Sequence, residues 1–485
     1  MNDVEMLANA EKTSFMPILG AFIIVFALAM IWHKLQHGNL FRKRVTKVAN
    51  KDKAQGIIYG KQGFRYAYSP PEEESHTAVF GGTGSGKSSA LLIPTLNSWG
   101  NTNNTFFAID ISGDLHKNVN CKNKLVFEPL NQESIPYNIF DMVDNAESTD
   151  KKCQILENLS YLILPDIPTE NSTSQYFTNG ARDMLCGALV AYYFKGFDYV
   201  DICKKIVSQT WRDLLNDIAS VESEKANNYI RQFLGNNDSN NAGCKQSLDR
   251  AIKLFVTDST LSCTFRRPCE NEPFLAPRMI EQFNTFLVIP DEVLDMYSVC
   301  MRIVTAQCLN YFSARSLLAR TTILFALDEY SSLGNINIVD ALAKYRKRKV
   351  RIMILTQSLA DIDRIYGTVT RNVMMNNFGV KIVLNCSDEE SQQWFSRIIG
   401  METKVKNSVS KSGDNVTRTE SENREFSVQP EYFGKLRKTL ILVHDGYGYV
   451  ELKKNYYFTK KTRFEQSIDR IISVCYNVLI NKQRG

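Results

Sequence analysis

The sequence lacks the residue spacings of a zinc site or of a disulfide-bonded extracellular domain. Its eleven cysteines are scattered, their number is odd, and no two of them are spaced as C-x-x-C. Only five histidines occur among 485 residues, and none of them has the spacing of a metal ligand. These spacings argue against a structural zinc site and a disulfide framework, and a reducing compartment is favoured.

The chain also lacks the large excess of positive charge that is typical of a basic nucleic-acid-binding surface. Its net charge is +6, the short segment 34–53 alone carries +6, and the first fourteen residues carry −2, which leaves about +2 for the rest. If the main part of the chain holds DNA, it must do so with local patches or by lining a ring.

A long uncharged run stands near the N-terminus. Residues 15–32 read FMPILGAFIIVFALAMIW, and eighteen residues at about 1.5 Å each span roughly 27 Å, enough to cross a bilayer core. The alternative is a cleaved signal peptide, but acidic residues precede the run and no A-x-A site follows it. The basic residues after the run predict a single membrane helix at 15–33, with residues 1–14 outside and the remainder in the cytoplasm. Residues 34–75 are predicted to be a basic juxtamembrane linker.

Apolar runs of strand length alternate with helical patterns along much of the chain. The runs lie at 77–80, 105–109, 125–127, 286–289, 321–327, 351–355, 380–384 and 439–443. They predict an α/β nucleotide-binding domain with a parallel central sheet, made of residues 76–150 and 256–462. Residues 151–255 have helical spacing and predict an inserted all-helical domain, and 463–485 predict a C-terminal helix. The polar stretch 403–424 predicts an exposed, mobile loop.

The strongest signal in the sequence is the stretch GGTGSGKS, which matches G-x-x-x-x-G-K-[ST]. It follows an apolar strand and precedes a helical segment, and in that context glycines let backbone N–H groups face the phosphates of a nucleotide. Lys87 is expected to reach the β- and γ-phosphates of ATP, and the hydroxyl of Ser88 to bind Mg²⁺. The alternative is a chance glycine-rich turn. The predicted nucleotide-binding residues are Gly81, Gly82, Thr83, Gly84, Ser85, Gly86, Lys87, Ser88 and Ser89.

Two further strand ends carry polar side chains suited to the same site. Asp328 and Glu329 follow the apolar run 323–327; Asp328 is expected to hold Mg²⁺, and Glu329 to act as the general base for water. The alternative is a turn with solvated acids. Gln357 follows another run, and since parallel strands end at one crevice, it is expected to sense the γ-phosphate or place the water, unless it only caps the next helix. The prediction is an ATPase with Glu329, Lys87 and Gln357 as catalytic residues.

Several basic side chains are candidates for other roles. Arg266 and Arg267 could act in the site of a neighbouring subunit, or be solvated surface arginines. Residues 346–351 read RKRKVR; they could face a pore and track DNA phosphates, or complement the dipole at the end of the preceding helix. The lysines expected to be solvated are Lys453, Lys454, Lys460 and Lys461.

Taken together, the motifs resemble those of the coupling proteins of type IV secretion systems (the TraG, TraD and TrwB families), relatives of the FtsK and HerA DNA pumps. The resemblance is carried by residues 82–89, by IDISGDL at 109–115, by LDEYSSLG at 327–334 and most specifically by QSLADIDRIYG at 357–367. The family's functional residues match this chain at Lys87, Ser88, Asp328, Glu329 and Gln357.

The resemblance implies a RecA-like ATPase that uses ATP and Mg²⁺ and is assembled as a homo-hexamer. The expected location is the bacterial inner membrane, with the single pass that residues 15–33 predict, whereas many members of the family have two spans. It also implies single-stranded DNA, a relaxase or relaxosome, and the subunits of the secretion channel as partners in conjugation. Two alternatives remain: an FtsK- or HerA-like DNA motor outside secretion, and an ATPase adaptor for protein effectors. Stimulation of ATP hydrolysis by single-stranded DNA is expected of the motors and not of the adaptor.

Overall fold

The computed structural model describes residues 45–166, 171–235, 237–333, 336, 338–412 and 415–458. Twelve of the described strands form one sheet. In chain order they are β1 (Lys47–Ala49), β2 (Ile57–Gln62), β3 (Arg65–Ser69), β4 (Thr77–Gly81), β5 (Thr105–Asp110), β6 (Lys124–Phe127), β7 (Asn284–Val288), β8 (Ile323–Leu327), β9 (Val350–Thr356), β10 (Val380–Asn385), β13 (Thr439–His444) and β14 (Gly448–Lys453). The other two, β11 (Met401–Ser412) and β12 (Asn415–Phe426), pair with each other.

The order of strands across the large sheet is β1-β3-β2-β14-β13-β10-β4-β9-β8-β5-β7-β6. From β10 to β6 every pairing is parallel. From β10 to β1 every pairing is antiparallel. All residues of β4, β5, β7, β8 and β9 are buried, because parallel strands covered on both faces need continuous apolar runs. The predicted α/β fold with a parallel central sheet is therefore confirmed.

The helices cover the sheet and form a region of their own. Their bounds are α1 (Ile93–Trp99), α2 (Leu115–Asn118), α3 (Asp141–Asp144), α4 (Thr149–Ile163), α5 (Ser172–Tyr193), α6 (Tyr199–Val207), α7 (Trp211–Ala219), α8 (Glu224–Ile230), α9 (Asp238–Ile252), α10 (Leu254–Thr257), α11 (Ser259–Thr264), α12 (Leu294–Ala314), α13 (Val339–Lys344), α14 (Leu359–Asn377), α15 (Glu389–Ile399) and α16 (Pro430–Phe433). A π-helical turn, Lys87–Leu92, leads directly into α1.

Helices α4 to α11 follow one another without an intervening strand among the described residues. Except for α10, each of these helices begins after a side chain that accepts a hydrogen bond from a backbone N–H of the first turn, as with Ser148, Asp198 and Thr210. The helices run on to Thr264, nine residues past the limit of 255 that the sequence predicts for this helical region.

The interpretation of residues 34–75 as a linker was wrong where the structure describes them. Strands β1 to β3 join the antiparallel side of the sheet, and the side-chain oxygen of Thr95 accepts a hydrogen bond from the backbone N–H of Ile58 at 3.1 Å. Gly60 marks an irregularity in β2, where a Cβ would lie 2.7 Å from the backbone oxygen of Lys453. The absence of a side chain at Gly60 therefore allows the close approach of two strands.

The prediction of a mobile loop at 403–424 was also wrong. Strands β11 and β12 pair over their full length, from Met401 with Phe426 to Ser412 with Asn415. Backbone hydrogen bonds between two strands require no apolar side chains, so the polar composition of this stretch gave no signal for a hairpin.

Four predictions fall on residues outside the described ranges: the N-terminal tail 1–14, the membrane helix 15–33, the C-terminal helix 463–485 and the solvated Lys460 and Lys461. Among the described residues, no helix combines the length and the apolar character needed to span a bilayer.

Candidate functional site

The glycine-rich loop joins the end of β4 to the helical segment that begins at Lys87. Two of its glycines have positive φ, Gly84 with 73° and Gly86 with 97°, a conformation that side chains other than hydrogen strongly disfavour. The loop therefore curls back at the N-terminus of a helix. Unpaired backbone N–H groups and the positive end of the helix dipole meet at such a point, which favours binding of phosphate.

The ammonium group of Lys87 lies inside this loop. Its Nζ donates a hydrogen bond to the backbone oxygen of Gly81 at 2.7 Å and lies 3.7 Å from Oε2 of Glu329. Only 7% of the lysine is exposed. The side chain is thus held at the loop and paired with the acidic residue that the sequence predicts as the general base.

Asp328 follows β8 and faces the loop from the other side. The hydroxyl of Ser88 donates a hydrogen bond to its Oδ2 at 3.0 Å. Burial raises the pKa of the Asp328 carboxyl to about 6, helped by the negative charges of Glu329 and Asp110, while the hydrogen bond from Ser88 and the charge of Lys87 act in the opposite direction. A negative charge here is costly without a cation beside it.

This arrangement suits Mg²⁺. Hydroxyl and carboxylate oxygens are the hard ligands that the ion prefers, and it commonly takes one or two protein ligands together with phosphate oxygens. The 3.0 Å approach of Ser88 and Asp328 supplies two such oxygens beside the phosphate loop, and the raised pKa of Asp328 shows a carboxylate that a divalent cation would stabilise. The residues present therefore fit the ion.

Glu329 and Gln357 meet in front of Lys87. Nε2 of Gln357 donates a hydrogen bond to Oε1 of Glu329 at 2.9 Å. Glu329 has a φ of 49°, which is uncommon for a residue with a side chain, and Gln357 follows β9 directly. The structure thus brings together all five residues to which the sequence assigns a catalytic or metal-binding role, and their individual roles stay predictions.

Asp110 is an acidic residue near the site to which the sequence analysis gave no role. Asp110 ends β5, the strand next to β8, and is fully buried. Its Oδ2 accepts a hydrogen bond from the backbone N–H of His116 at 2.9 Å, and Nδ1 of the same histidine lies 2.8 Å away. Its position in the motif IDISGDL is the feature of the sequence that could have indicated a place near the site.

The segment after β14 is a second part of the site that the sequence gave no reason to expect. Lys454, predicted to be solvated, is only 8% exposed, and its Nζ donates hydrogen bonds to the backbone oxygens of Ser85 at 2.8 Å and Leu436 at 3.1 Å. Burial lowers the pKa of this lysine to about 8. The contact joins residues 369 positions apart, so no local pattern could indicate it.

Three of the basic candidates for other roles, Arg266, Arg267 and Arg351, form hydrogen bonds or ion pairs within the described chain. Arg266 forms a two-pronged ion pair with Glu272 and holds the pKa of that carboxyl at about 2, while Arg267 pairs with Asp144. In the cluster 346–351, Arg351 is 1% exposed and donates to the backbone oxygens of Pro70 and Ser75. Of the two alternatives for this cluster, the pore-facing one is wrong for Arg351, because its strand β9 is buried on both faces.

Comparison with known proteins identifies a family to which the chain belongs and several relatives with similar sequences. The model of the family described as "Type IV secretory system Conjugative DNA transfer" matches residues 30–478. The type IV secretion system-coupling protein VirD4 of Bartonella quintana is 23% identical over 313 residues, which are 60% of this chain and 48% of that protein. Protein VirD4 of Agrobacterium fabrum is 23% identical over 366 residues, 72% of this chain and 53% of that protein. The chain thus spans about half the length of these relatives.

Solved structures with the same fold are also found. A bacterial conjugative coupling protein, TrwBΔN70 in an unbound form, matches with a TM-score of 0.66 at 15% identity, over 88% of this chain and 98% of that one. The plasmid coupling protein TrwB in complex with ADP and Mg²⁺ matches with a TM-score of 0.65 at 15% identity, over 87% of this chain and 91% of that one. At this identity the likeness establishes the fold.

Proposed function

Because the chain belongs to the family of type IV secretory system proteins for conjugative DNA transfer, we propose that it is a coupling protein that hydrolyses ATP to move DNA. Its cargo is single-stranded DNA bound to a relaxase, which it delivers to the channel subunits of a type IV secretion system during conjugation. The names of its VirD4 and TrwB relatives support this role.

The observation that carries the proposal is the meeting of three strand ends around one loop. Lys87 and Ser88 come from the segment after β4, Asp328 and Glu329 from the end of β8, and Gln357 from the end of β9, with the contacts at 2.9 to 3.7 Å. A phosphate cradle, an oxygen pair for a cation and a carboxylate oriented by an amide are the parts needed for nucleotide hydrolysis.

Each residue of the site has its own role in the proposed hydrolysis. Ser88 and Asp328 would hold Mg²⁺, and the ion would supply positive charge beside the phosphate oxygens. Lys87 exchanges the backbone oxygen of Gly81 and the carboxylate of Glu329 for phosphate oxygens, which releases Glu329 to accept a proton from water. Gln357 keeps the carboxylate of Glu329 oriented through its hydrogen bond at 2.9 Å.

The membrane part of the proposal rests on the sequence, and the assembly part rests on the resemblance to the family. The uncharged run 15–32 and the basic residues after it suit a single pass through the bacterial inner membrane, with the nucleotide site in the cytoplasm. The main part of the chain is nearly neutral, so one copy offers few positive charges to DNA. In a homo-hexamer around a pore, each of the six subunits would bring its few positive charges to the same strand of DNA.

The test is the rate of ATP hydrolysis by the purified full chain with and without single-stranded DNA. We expect a faster rate with DNA in the wild type and no hydrolysis in Lys87→Ala. The matched control is Lys453→Ala, an exposed lysine on β14, which keeps the wild-type rates. Hydrolysis that DNA leaves unchanged would contradict the motor and favour the adaptor for protein effectors.

A further inference from the structure

The turn between α12 and β8 carries two leucines at its tip. The backbone N–H of Ala319 donates a hydrogen bond to the backbone oxygen of Ser316 at 3.2 Å, which places Leu317 and Leu318 at the two central positions. These two side chains are 60% and 89% exposed. Central turn positions usually carry glycine, proline, asparagine, aspartate or serine. Two adjacent leucines that stay exposed in this leucine turn (316–319) therefore indicate a surface that a partner covers.

A second turn, the basic turn (345–349), leads into β9 and is fixed to the leucine turn. The guanidinium of Arg315 donates hydrogen bonds to the backbone oxygens of Arg348 at 2.7 Å and Lys349 at 3.2 Å. Arg315 also pairs with Glu281 and donates to the backbone oxygen of Thr321. Among the residues that the structure describes, four exposed cations in or next to the two turns take part in no ion pair: Arg320, Arg346, Lys347 and Lys349.

Both turns lie at the end of the sheet opposite to the nucleotide site, since they lead into β8 and β9 and the site follows the far ends of these strands. Strand β1 begins at the same end as the turns. Nζ of its first residue, Lys47, lies 3.2 Å from Oε1 of Glu73. The backbone oxygen of Pro70 accepts hydrogen bonds from the N–H of Glu73 at 3.1 Å and from Arg351 in β9 at 2.9 Å.

The start of β1 is close in the chain to the predicted membrane helix. Thirteen residues, 34–46, separate the two, and a fully extended chain of that length spans about 45 Å. Four of the thirteen are basic and none is acidic: Lys34, Arg42, Lys43 and Arg44. A basic segment beside a membrane helix is attracted to anionic lipid, so this end of the sheet is the one within reach of an anionic bilayer surface.

We propose that the leucine turn and the basic turn form a surface that docks on the anionic bilayer, a proposal that rests on the membrane location in the proposed function. The leucines enter the headgroup region, and the cations bind the phosphates of the lipids. Contacts with the phosphates of DNA use cations and need no exposed leucines, so the leucines favour a bilayer. Docking places the nucleotide site at the end of the sheet away from the membrane.

The first experiment places the photoreactive residue p-benzoylphenylalanine at single positions of the full chain in vesicles of phosphatidylglycerol and phosphatidylcholine. Lipid adducts formed on illumination are identified by mass spectrometry of the peptides. We expect lipid adducts at Leu318. The matched control is Phe64, which is 63% exposed in the turn between β2 and β3 and should give none. Equal yields at Leu318 and Phe64 would overturn the proposal.

A third position separates the docking surface from the membrane location on which it rests. Phe22 lies within the uncharged run 15–32. Lipid adducts at Phe22 without adducts at Leu318 would overturn the docking surface and leave the membrane helix standing, whereas adducts at neither position would overturn both. Adducts of Leu318 with a second copy of the chain or, in intact cells, with another protein in place of lipid would assign the surface to a protein interface and overturn the proposal.

The second experiment tests the cations. The triple variant Arg320→Gln, Arg346→Gln and Lys347→Gln keeps the contacts of Arg315. We expect its yield of lipid adducts at Leu318 to fall about tenfold, and the wild-type yield to fall similarly in phosphatidylcholine alone, because each cation adds to the attraction by anionic lipid. Lys453→Gln, at an exposed position of β14, is the control and should keep the yield.

An unchanged yield in the triple variant would overturn the proposal. If this variant has also lost the stimulation of ATP hydrolysis by single-stranded DNA, the cations belong to a DNA-binding surface instead.

Discussion

Asp328 holds a carboxyl group where its charge is unfavourable. Its pKa is raised from 3.8 to about 6, chiefly by burial. The folded chain therefore binds a proton more tightly than the unfolded chain between these two values. As the pH rises through this window, the folded chain loses its proton and with it the stabilisation that tighter proton binding provides. The contribution of Asp328 to the free energy of unfolding is therefore present at low pH and lost above about pH 6.

Asp328→Asn should accordingly stabilise the nucleotide-free chain at pH 7. A shift of this size corresponds to about 1–3 kcal/mol, and the amide oxygen can still accept the hydrogen bond from Ser88. Chemical denaturation of Asp328→Asn and of the wild type should show this difference in the free energy of unfolding at pH 7 and little difference at pH 4. Glu147→Gln, at an exposed position, is the control and should unfold like the wild type at both pH values. An Asp328→Asn protein that is less stable than the wild type at pH 7 would contradict the account.

Binding of magnesium and ATP should depend on pH in the opposite direction, because the metal ligand must be ionised. We expect the affinity for Mg²⁺·ATP to fall as the pH is lowered through about 6. Titration of the full chain between pH 5 and 8 measures this, with tripolyphosphate in the absence of Mg²⁺ as the comparison. An affinity for Mg²⁺·ATP that is constant over this range would argue against Asp328 as a ligand.

Residue by residue, the sequence predicted the part of the site that has local signals. The glycine motif identifies Lys87 and Ser88, and acids or amides after buried runs identify Asp328 and Gln357. Lys454 has no such signal, since a lysine after a polar strand end resembles a solvated one. Only the folded chain brings it to Ser85, where it is 8% exposed.

Among the elements, α14 contains a break with a defined cause. At Gly367 the backbone has φ 75° and ψ 159°, which is not helical, so two helical pieces meet there. This conformation is almost restricted to glycine, and a Cβ at Gly367 would meet no atom within 4 Å.

Gly367→Ala should therefore test backbone strain alone. We expect it to lower the free energy of unfolding by about 1–3 kcal/mol, measured by denaturant titration. Thr368→Ala, at the next and exposed position, serves as the control with a much smaller effect. Equal stability of Gly367→Ala and the wild type would show that the break is not fixed by the glycine.

The hairpin of β11 and β12 is an element separate from the large sheet. Its strands pair only with each other among the described residues, and the chain on either side is already joined by a hydrogen bond from the N–H of Ser427 to the oxygen of Gly400 at 3.0 Å. Replacing residues 401–426 by a short Gly-Ser turn should leave the melting temperature within about 3 °C of the wild type, since this stretch has few apolar residues. A large decrease or aggregation would show that the hairpin supports the core.

The strands differ in how well the sequence indicates them. Central parallel strands such as β5 and β8 are buried on both faces and read as continuous apolar runs. Strand β3 alternates between exposed and buried positions and lies among glycines, and β11 and β12 are polar. Their pairing depends on partners distant in the chain or on backbone hydrogen bonds, which composition does not record.

For the whole molecule, the family and the site together predict that DNA transfer needs nucleotide turnover. A donor cell that carries Lys87→Ala in place of the wild type should lose conjugative transfer by several orders of magnitude, because the loop lysine is required to bind and orient the phosphates. Lys453→Ala in the same donor is the control and should transfer normally. Normal transfer with Lys87→Ala, in a chain still present at wild-type amount, would reject the link between this site and transport.

The most direct measurement is the turnover of ATP by Glu329→Gln in the presence of single-stranded DNA. Removal of a general base lowers the rate by about 10²–10⁴, whereas glutamine keeps the shape of the side chain and can still bond with Gln357. We predict a rate at least a hundredfold below that of the wild type, with the affinity for ATP within about threefold. A variant that hydrolyses ATP at the wild-type rate would contradict the assignment of this pocket as the site of hydrolysis.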